Sequence, residues 1–365
     1  MAIKKYNGRD ITLAAMLKVH YFPYLEHSNA PSTGEGNSQP EKGGYRRNRF
    51  LYQYFKRDVL PHAGQRFDHI FQGKAKEAAD TRLYRIFFMG NSLAYGFGID
   101  PHERYYSLLE KDLNERGQVS VIPAAVSAIN STQENVLFHL AVLPQKPDFV
   151  VTINGWNDVM MPAIFSLRPG DPMTMSALYG KYDQVFFNLV MRVCKRSTLA
   201  SRFVTRLLER DRKDFLKTFR SDNVFRESLS RSIVNVYMQN LETVAEGCRL
   251  RGIKFLHILQ PSGDVLWERY EDRFPPPVRD EFQKRMNDYP WAALNLGPFI
   301  TEIYGKIKSE IAKRPWAADS HDPIEALSLD HFTDPVHLNP AGQSVLACEL
   351  KKIIEPRIEY KEKTA

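Results

Sequence analysis

The sequence has little cysteine: three of its 365 residues are of this type. Cys194, Cys248 and Cys348 are odd in number, far apart, and not part of any Cys-x-x-Cys pair. This spacing argues against a disulfide framework and against a cysteine-based metal or redox centre. We therefore expect free thiols in a reducing compartment.

Long hydrophobic runs are also missing. The strongest candidate, residues 11–17, follows Lys4, Lys5 and Arg9, but Lys18 interrupts it at once and no small-residue cleavage site follows. The run is too short for a transmembrane helix or a signal peptide. The sequence therefore favours a cytoplasmic location.

Nucleotide-binding and metal-binding signatures are absent as well. No Gly-x-Gly-x-x-Gly motif occurs, and no Lys-Ser or Lys-Thr pair follows the glycines at positions 90 and 96. Residues 319–322 (Asp-Ser-His-Asp) have metal-binding side chains without a recognised ligand spacing, which predicts a polar loop. We expect neither a metal nor another cofactor.

The composition that remains is typical of a globular protein. Hydrophobic residues make up 43% of the chain and aromatic residues 12%, so there is enough apolar surface to form a core. The formal net charge of +7 favours anionic partners in general. In a chain of this length that excess is too small to indicate nucleic-acid binding, and we expect none.

The residue pattern divides the chain into an N-terminal extension and one large domain. Residues 1–80 form the extension, and within it residues 27–48 are polar and rich in Gly, Pro and Ser, which predicts a flexible loop. The domain covers residues 81–365. Within it, residues 160–232 and 263–330 are too long for ordinary connections and predict helical insertions that cover the ligand-binding rim.

Short apolar runs alternate with amphipathic stretches through this domain. Apolar runs bounded by Gly or Pro are typical of buried parallel strands, and helical spacing of apolar residues predicts helices. The predicted strands are residues 85–89, 119–122, 148–153 and 253–259, and the predicted helices are residues 105–116, 132–143, 233–251 and 340–354. This order predicts an α/β fold in which helices cover both faces of a parallel sheet.

Ser92 follows the first predicted strand directly, two residues after Gly90. In open α/β sheets, ligands bind at the carboxyl edge of the strands, and a helix beginning there favours negative charge near the serine. The alternative is a plain helix N-cap, for which serine is well suited. This stretch alone does not decide between the two.

Two further motifs occupy comparable positions. Asn157 follows the third predicted strand, where a side-chain amide can donate to an oxyanion, an interaction worth roughly 3 kcal/mol in acyl transfer. An Asn/Gly turn explains the position of Asn157 equally well.

His337 can take a proton from a serine, and Asp334, three residues earlier, can orient the histidine. A structural Asp/His pair before a helix is the alternative.

Together the three motifs resemble those of the SGNH (GDSL-like) hydrolase family. The resemblance covers roughly residues 82–160 and 233–355. Gly90-Asn91-Ser92-Leu93 match the family's first block, Gly155-x-Asn157-Asp158 its third and Asp334-x-x-His337 its last, and the second block falls within residues 124–130. The last two blocks are the most specific parts of the resemblance.

The resemblance implies a three-layer α/β/α sandwich with a flavodoxin-like parallel sheet, and serine esterase activity without a cofactor or metal. It implies that Ser92 is the nucleophile, His337 the general base and then acid, and Asp334 the residue that orients His337. The oxyanion would be bound by the Ser92 backbone N–H, a backbone N–H from the second block and the Asn157 side chain. The expected substrates are small-molecule O-acyl esters, with acetylated sugars and lipid-like esters as the leading classes.

Two positions depart from the family pattern. The usual Asp before the serine is Asn91, which keeps the shape but lacks the charge. The second-block glycine falls at Ala128, which keeps the N–H donor of the oxyanion hole while its methyl group narrows the pocket. We also predict that Asn91 and Trp156, which flank the nucleophile and the oxyanion donor, bind substrate.

Residues 186–220 are basic and helical in pattern, with an apolar stripe. This pattern is typical of a cap that contacts an anionic substrate or a membrane surface, and equally of a solvated insertion whose stripe packs on the core.

Two alternatives to the esterase remain open. An O-acyltransferase would use the same residues and differ only in whether an alcohol or water accepts the acyl group. Asn91 and Ala128 leave open a non-catalytic binding or assembly protein that retains the fold, whereas the intact set of Ser92, Asn157, Asp334 and His337 argues against it.

Overall fold

The computed structural model describes residues 4–6, 9–11, 71–72, 74–114, 118–127, 129–165, 217–219, 221–288 and 295–359. The loop predicted at residues 27–48, Cys194 and most of residues 186–220 lie outside these ranges. Cys248 and Cys348 are free thiols. Within the described ranges, no helix combines the length and the apolar character that a membrane crossing requires.

A five-stranded parallel sheet organises the fold, preceded by a separate antiparallel pair of short strands. The pair is β1 (Lys4–Tyr6) and β2 (Arg9–Ile11), and the sheet contains β3 (Tyr84–Gly90), β4 (Val119–Ala125), β5 (Phe149–Asn154), β6 (Lys254–Leu259) and β7 (Ser320–His321). The spatial order is β4-β3-β5-β6-β7, and all neighbouring strands are parallel. This is the flavodoxin-like order, with the topological switch point between β3 and β5.

Both faces of the sheet are buried, as alternation along β3 shows. Phe87 and Met89 belong to the hydrophobic core on one face, whereas Ile86 and Phe88 belong to the core on the other. Successive side chains of a strand point to opposite faces, so a strand buried on both sides has a continuous apolar sequence. The predicted α/β/α sandwich with a parallel sheet is confirmed.

Helices form the two outer layers. They are α1 (Ala75–Ala79), α2 (Ser92–Tyr95), α3 (Tyr105–Leu113), α4 (Ser131–Leu137), α5 (Trp156–Phe165), α6 (Asn223–Arg249), α7 (Gly263–Tyr270), α8 (Pro276–Asp288), α9 (Gly297–Ile311) and α10 (Pro340–Ile354). Buried residues of α4, α5, α6 and α9 pack on the Phe87 face, and those of α3 and α10 pack on the Ile86 face.

The sheet has one strand more than the sequence predicted. Ser320 and His321, inside the stretch predicted to be a polar loop, form β7 and pair with His257 and Ile258 of β6. That prediction was wrong because a two-residue strand with half-buried side chains has no apolar run to reveal it. The boundary at residue 80 and the rim-covering role of the insertions remain predictions.

Candidate active site

Three segments meet at the carboxyl edge of the sheet, at the switch point. Ser92 follows β3, Asn157 follows β5, and Asp334 and His337 lie on the loop before α10. Because β3 and β5 are hydrogen-bonded neighbours, residues that follow them emerge side by side. The strand order therefore brings together motifs that are far apart in sequence.

Gly90 allows the chain to turn directly from β3 into the segment that carries Ser92. Its φ is +153°, which L side chains rarely adopt, and a Cβ there would lie 2.2 Å from the carbonyl oxygen of Ile153 and 2.6 Å from the Cβ of Ala94. Any larger residue would push β3 away from β5. The close approach of the two strands at the site thus depends on glycine.

Asn91 fixes the start of α2, and Ser92 is the first residue of that helix. The Asn91 side-chain oxygen accepts from the Leu93 N–H at 3.1 Å, and its amide nitrogen donates to Gln260 Oε1 at 2.6 Å. The helix is a single turn that ends at Gly96 in the left-handed conformation. In a first turn the N–H of Ser92 has no intrahelical acceptor, which makes it suited to an oxyanion.

Ser92, His337 and Asp334 form a continuous chain of hydrogen bonds. Ser92 Oγ lies 2.9 Å from His337 Nε2, and His337 Nδ1 lies 2.7 Å from Asp334 Oδ2. Both distances fall in the range needed for proton transfer and for orientation of a base. The three side chains predicted to form the catalytic set are brought together in the structure.

The second carboxylate oxygen of Asp334 is held by the backbone of its own loop. Oδ1 accepts from the N–H groups of Val336 and His337, each at 2.8 Å. Burial alone would raise the pKa of Asp334, but the charge of His337 and the three hydrogen bonds outweigh it and lower the pKa below its ordinary value. Asp334 is therefore an ionised acceptor, suited to hold a proton on Nδ1 of His337.

Phe97 packs against the imidazole and was not predicted from the sequence. Its ring centroid lies 5.1 Å from that of His337, with the two planes inclined by 39°. The backbone N–H of Phe97 donates to the Ser92 carbonyl oxygen at 3.0 Å. One residue thus contacts the base and the nucleophile's segment together.

Asn157 is held against the backbone of Ile129. Its Nδ2 donates to the Ile129 carbonyl oxygen at 2.7 Å, and the side chain is 3% exposed. An amide nitrogen carries two hydrogens, so this bond orients the group and leaves one hydrogen for another acceptor. Ala128, the predicted backbone donor, lies outside the described residues, although the adjacent Ile129 is described.

Asp158 has a structural role next to Asn157. Its carboxylate accepts from the Ser131 N–H at 3.1 Å and from the Ser131 hydroxyl at 2.5 Å, which holds the start of α4 against α5. Burial raises the pKa of Asp158 to about 6, against the opposing effect of the hydrogen bonds from Ser131. The Asp that follows the proposed oxyanion donor thus has a structural role, because it holds Ser131.

Asn91 and Trp156, predicted to bind substrate, are both buried. Asn91 is 0% and Trp156 2% exposed, and the Trp156 Nε1 donates to Asp264 Oδ2 at 3.3 Å. Their polar atoms are thus engaged within the protein. Substrate contact by either residue remains a prediction, while the structure shows how each supports its neighbour, Ser92 or Asn157.

Gln260 is a residue of this edge that the sequence reasoning missed. It follows β6 directly, is fully buried, and accepts the hydrogen bond from Asn91. The rule that placed Ser92 and Asn157 at the carboxyl edge applies equally to β6 and would have found it. A single glutamine before a proline belongs to no motif that indicates a catalytic or binding role.

The described residues offer no obvious place for a metal. No group of three or more His, Cys, Asp or Glu side chains in that part of the chain is arranged to hold an ion.

No protein-family model and no curated protein matches the sequence significantly. Among solved structures, the chain is similar to TesA, with a TM-score of 0.41 and 15% identity over 75% of this chain and 99% of that one. It is similar to the acetyl xylan esterase AlAXEase, with a TM-score of 0.41 and 14% identity over 74% and 99%. A GDSL-like lipase from Bacteroides thetaiotaomicron gives a TM-score of 0.39 and 15% identity over 81% and 100%. The strand order of this chain is the flavodoxin-like one, and the motif residues that resemble those of SGNH hydrolases lie at its switch point.

Proposed function

We propose that this chain is an SGNH-type serine hydrolase that cleaves an O-acyl ester through an acyl-enzyme on Ser92. Ser92 Oγ attacks the carbonyl carbon while His337 Nε2 takes the hydroxyl proton, and the carbonyl oxygen becomes an oxyanion. The intermediate then collapses, the bond to the alcohol oxygen breaks, and the alcohol leaves with the proton from His337. Water, deprotonated by His337, attacks the acyl-enzyme; the bond between the acyl carbon and Ser92 Oγ then breaks, His337 returns the proton to Ser92, and the carboxylic acid leaves.

In this proposal the oxyanion is bound by the Ser92 backbone N–H, the Asn157 side chain and the Ala128 backbone N–H. Asn157 is already oriented by its bond to Ile129, so little reorganisation accompanies charge development. Asp334 keeps the proton of neutral His337 on Nδ1 and stabilises the imidazolium that forms during each transfer.

The observation that carries the proposal is the hydrogen-bond chain from Ser92 through His337 to Asp334. The N-cap of α2 is Asn91 and not Ser92, and a purely structural Asp/His pair does not require a serine hydroxyl 2.9 Å from Nε2 of the histidine. The combination favours nucleophilic catalysis over either structural alternative.

Hydrolysis of short-chain aryl esters by the purified chain tests this proposal. We expect turnover in the wild type and a loss of about 10⁴-fold or more in kcat for Ser92→Ala and for His337→Ala. Ser344→Ala, an exposed serine on α10, serves as the matched control and should retain full activity. Equal activity in the wild type and Ser92→Ala would contradict the proposal.

An O-acyltransferase would form the same acyl-enzyme, so the geometry of these residues favours neither acceptor. Adding an alcohol to the assay separates the two activities, because a transferase partitions the acyl group to the alcohol well above its share of the solvent. A well-folded wild type that neither turns over nor forms a covalent adduct would favour the non-catalytic alternative. The cytoplasmic location remains a prediction.

A further inference from the structure

The segment that follows β6 contacts all three parts of the candidate site. Residues 260–264 come directly after β6 and include the first two residues of α7, and all five are buried. The polar side chains among them are Gln260, Ser262 and Asp264, which are at most 6% exposed. Because β6 pairs with β5, which pairs with β3, this segment lies at the same carboxyl edge of the sheet as Ser92.

Gln260 holds Asn91, the residue before the proposed nucleophile. The Asn91 side-chain oxygen accepts from the Leu93 N–H at 3.1 Å, so the amide nitrogen of Asn91 is the group that faces Gln260. That nitrogen donates to Gln260 Oε1 at 2.6 Å. Gln260 therefore acts as an acceptor, and an apolar side chain at position 260 would leave a buried N–H of Asn91 without this partner.

The backbone of Gln260 is itself fixed on two sides. Its N–H donates to the Asn154 carbonyl oxygen at 2.9 Å, which continues the pairing of β5 with β6 by one residue. Its carbonyl oxygen accepts from the Tyr304 hydroxyl of α9 at 3.0 Å. Because both backbone groups are bonded, the Gln260 side chain starts from a defined position and can orient Asn91.

Ser262 and Gly263 hold the catalytic loop, which carries Asp334 and His337. Both donate to the carbonyl oxygen of Pro335, which lies between those two residues in the sequence: the Gly263 N–H at 2.8 Å and the Ser262 hydroxyl at 3.3 Å. A Cβ at position 263 would lie 3.3 Å from the same oxygen and 2.6 Å from a side chain of α8. The close contact with the loop therefore depends on glycine.

Asp264 makes the third contact, with the segment of the proposed oxyanion donor. Its Oδ2 accepts from the indole N–H of Trp156 at 3.3 Å, and Trp156 directly precedes Asn157. Each of the three contacts thus ends on a residue adjacent to a proposed catalytic group. Five consecutive residues connect the nucleophile, the base and the oxyanion donor.

Stability alone does not explain the amide pair of Asn91 and Gln260. Within the described part of the chain, Gln260 Nε2 is buried and has no hydrogen-bond partner. Burying an unpaired amide donor costs free energy, and an apolar pair at positions 91 and 260 would avoid that cost. The amide pair is therefore better explained by the orientation of Ser92.

We propose that Gln260 is a positioning residue for Ser92, and that residues 260–264 form one support that aligns the nucleophile, the base and the oxyanion donor. Gln260 acts through Asn91, whose two hydrogen bonds fix the start of α2 and thereby the direction of the Ser92 side chain. The inference rests on the proposed function, because it concerns the alignment of the groups that carry out that reaction. A misplacement of about 1 Å can cost about 100-fold in rate, so small shifts of Asn91 affect kcat.

Two substitutions of Gln260 test the proposal. Gln260→Met keeps the length of the side chain and removes the acceptor, whereas Gln260→Glu keeps an oxygen that accepts from Asn91. On an aryl ester we expect Gln260→Met to lower kcat about tenfold or more, with KM within about twofold of the wild type, because attack and not binding is misaligned. Gln260→Glu should restore kcat to within about threefold of the wild type.

Gln343→Met is the matched control. Gln343 lies on α10 and is 1% exposed, and its Oε1 accepts from the Tyr105 N–H at 2.9 Å, so the substitution removes the same kind of buried acceptor. It should lower stability without a comparable loss of kcat. Equal kcat values in Gln260→Met and Gln343→Met, or a Gln260→Glu variant as slow as Gln260→Met, would overturn the positioning role.

The contact with the catalytic loop is tested separately. Ser262→Ala removes one of the two donors to Pro335 and should lower kcat about threefold or more. Ser230→Ala, which removes a buried hydroxyl that accepts from Lys306 Nζ at 3.0 Å, should leave kcat unchanged. Equal kcat values in these two variants would overturn the part of the proposal that links residues 260–264 to the base.

Hydrogen exchange measured by mass spectrometry tests the support without turnover. We expect Gln260→Met to speed exchange in the peptide that contains α2 about tenfold or more, and Gln343→Met to leave it unchanged, because only the first substitution releases Asn91 from its partner. Faster exchange together with an inactive wild type would contradict the proposed function and retain the support. Esterase activity with unchanged exchange and unchanged kcat in Gln260→Met would contradict only the positioning role.

Discussion

Asp334 determines which nitrogen of His337 carries a proton. Its Oδ2 lies 2.7 Å from Nδ1, and an ionised carboxylate can only accept, so Nδ1 is the donor and Nε2 faces Ser92 as an acceptor. We expect Asp334→Asn to lower kcat by about 10³–10⁴-fold, because an amide can donate to Nδ1 and stabilise the wrong tautomer.

Steady-state kinetics on an aryl ester measures this effect. Asp330→Asn provides the matched control, since it makes the same change in an exposed side chain of the same region. A kcat for Asp334→Asn within a few-fold of that of Asp330→Asn would contradict the orienting role.

Asn157 should act mainly on the transition state. We expect Asn157→Ala to lower kcat by about 10²–10³-fold with little change in KM, because the oxyanion forms only after attack. Asn240→Ala is the control: it removes a half-buried amide that donates to Ser131 and Thr132 nearby, and should lower stability without a comparable loss of kcat. A rise in KM as the main effect of Asn157→Ala would indicate a role in substrate binding instead.

Some residues of the site can be predicted from the sequence and others cannot. Ser92, Asp334 and His337 occur in motifs whose spacing is tied to chemistry, and the structure brings them together. Gln260 and Phe97 act through contacts with Asn91 and His337 that only the folded chain creates. No local spacing in the sequence could indicate those pairs.

At the scale of an element, the turn at the end of β3 should tolerate no side chain at Gly90. We expect Gly90→Ala to lower the free energy of unfolding by at least about 3 kcal/mol, because φ is +153° and the new Cβ would meet the backbone of β5 at 2.2 Å. Chemical denaturation monitored by circular dichroism measures this loss.

Gly305→Ala is the matched control for that change. Gly305 lies within α9 and a Cβ there would meet nothing within 4 Å, so the substitution should stabilise the protein by up to about 1 kcal/mol. Similar stabilities for the Gly90 and Gly305 variants would contradict the close approach of β3 and β5.

The sequence predicts those strands and helices whose buried residues form a recognisable apolar pattern. β3, β4, β5 and β6 are flanked by core on both faces and appear as apolar runs, whereas β7 is too short to form one. The helix predicted over residues 132–143 instead ends as α4 at Leu137 and continues as a π-helical turn, Phe138–Val142. Apolar periodicity does not distinguish these helix types, because both keep the same side chains on the buried face.

At the scale of the whole molecule, buried carboxyl groups should make stability depend on pH. Burial raises the pKa of Asp264 to about 7 from 3.8, so between pH 4 and pH 7 the native state retains a proton that the unfolded chain has released. The contribution of Asp264 is therefore fully present below pH 4 and is lost as pH rises towards 7. His257, whose pKa burial lowers to about 3, acts in the opposite direction.

Asp264→Asn isolates this contribution. We expect the free energy of unfolding of the variant minus that of the wild type to increase by on the order of a few kcal/mol as the pH is raised from 4 to 7, because only the wild type loses stability over this range. Denaturant unfolding at each pH measures the difference, and Asp280→Asn, an exposed carboxyl, should give a flat difference. A flat difference for Asp264→Asn would show that the carboxyl is not buried as the structure has it.

The fold class could be predicted because the alternation of strands and helices extends over most of the described chain. The packing of α7, α8 and α9 around a cavity beside the catalytic loop could not, since it depends on contacts between segments that share no motif. The position of the candidate site follows from strand order, whereas the contacts around it follow from tertiary packing.

Covalent labelling by a fluorophosphonate tests, at the residue itself, whether Ser92 is a nucleophile activated by His337. We expect a single adduct on the wild type, mapped by mass spectrometry to the peptide containing Ser92, and no adduct on Ser92→Ala. His337→Ala should label at least about a hundredfold more slowly. Folded wild-type protein that stays unlabelled, or an adduct that persists in Ser92→Ala, would contradict this role of Ser92.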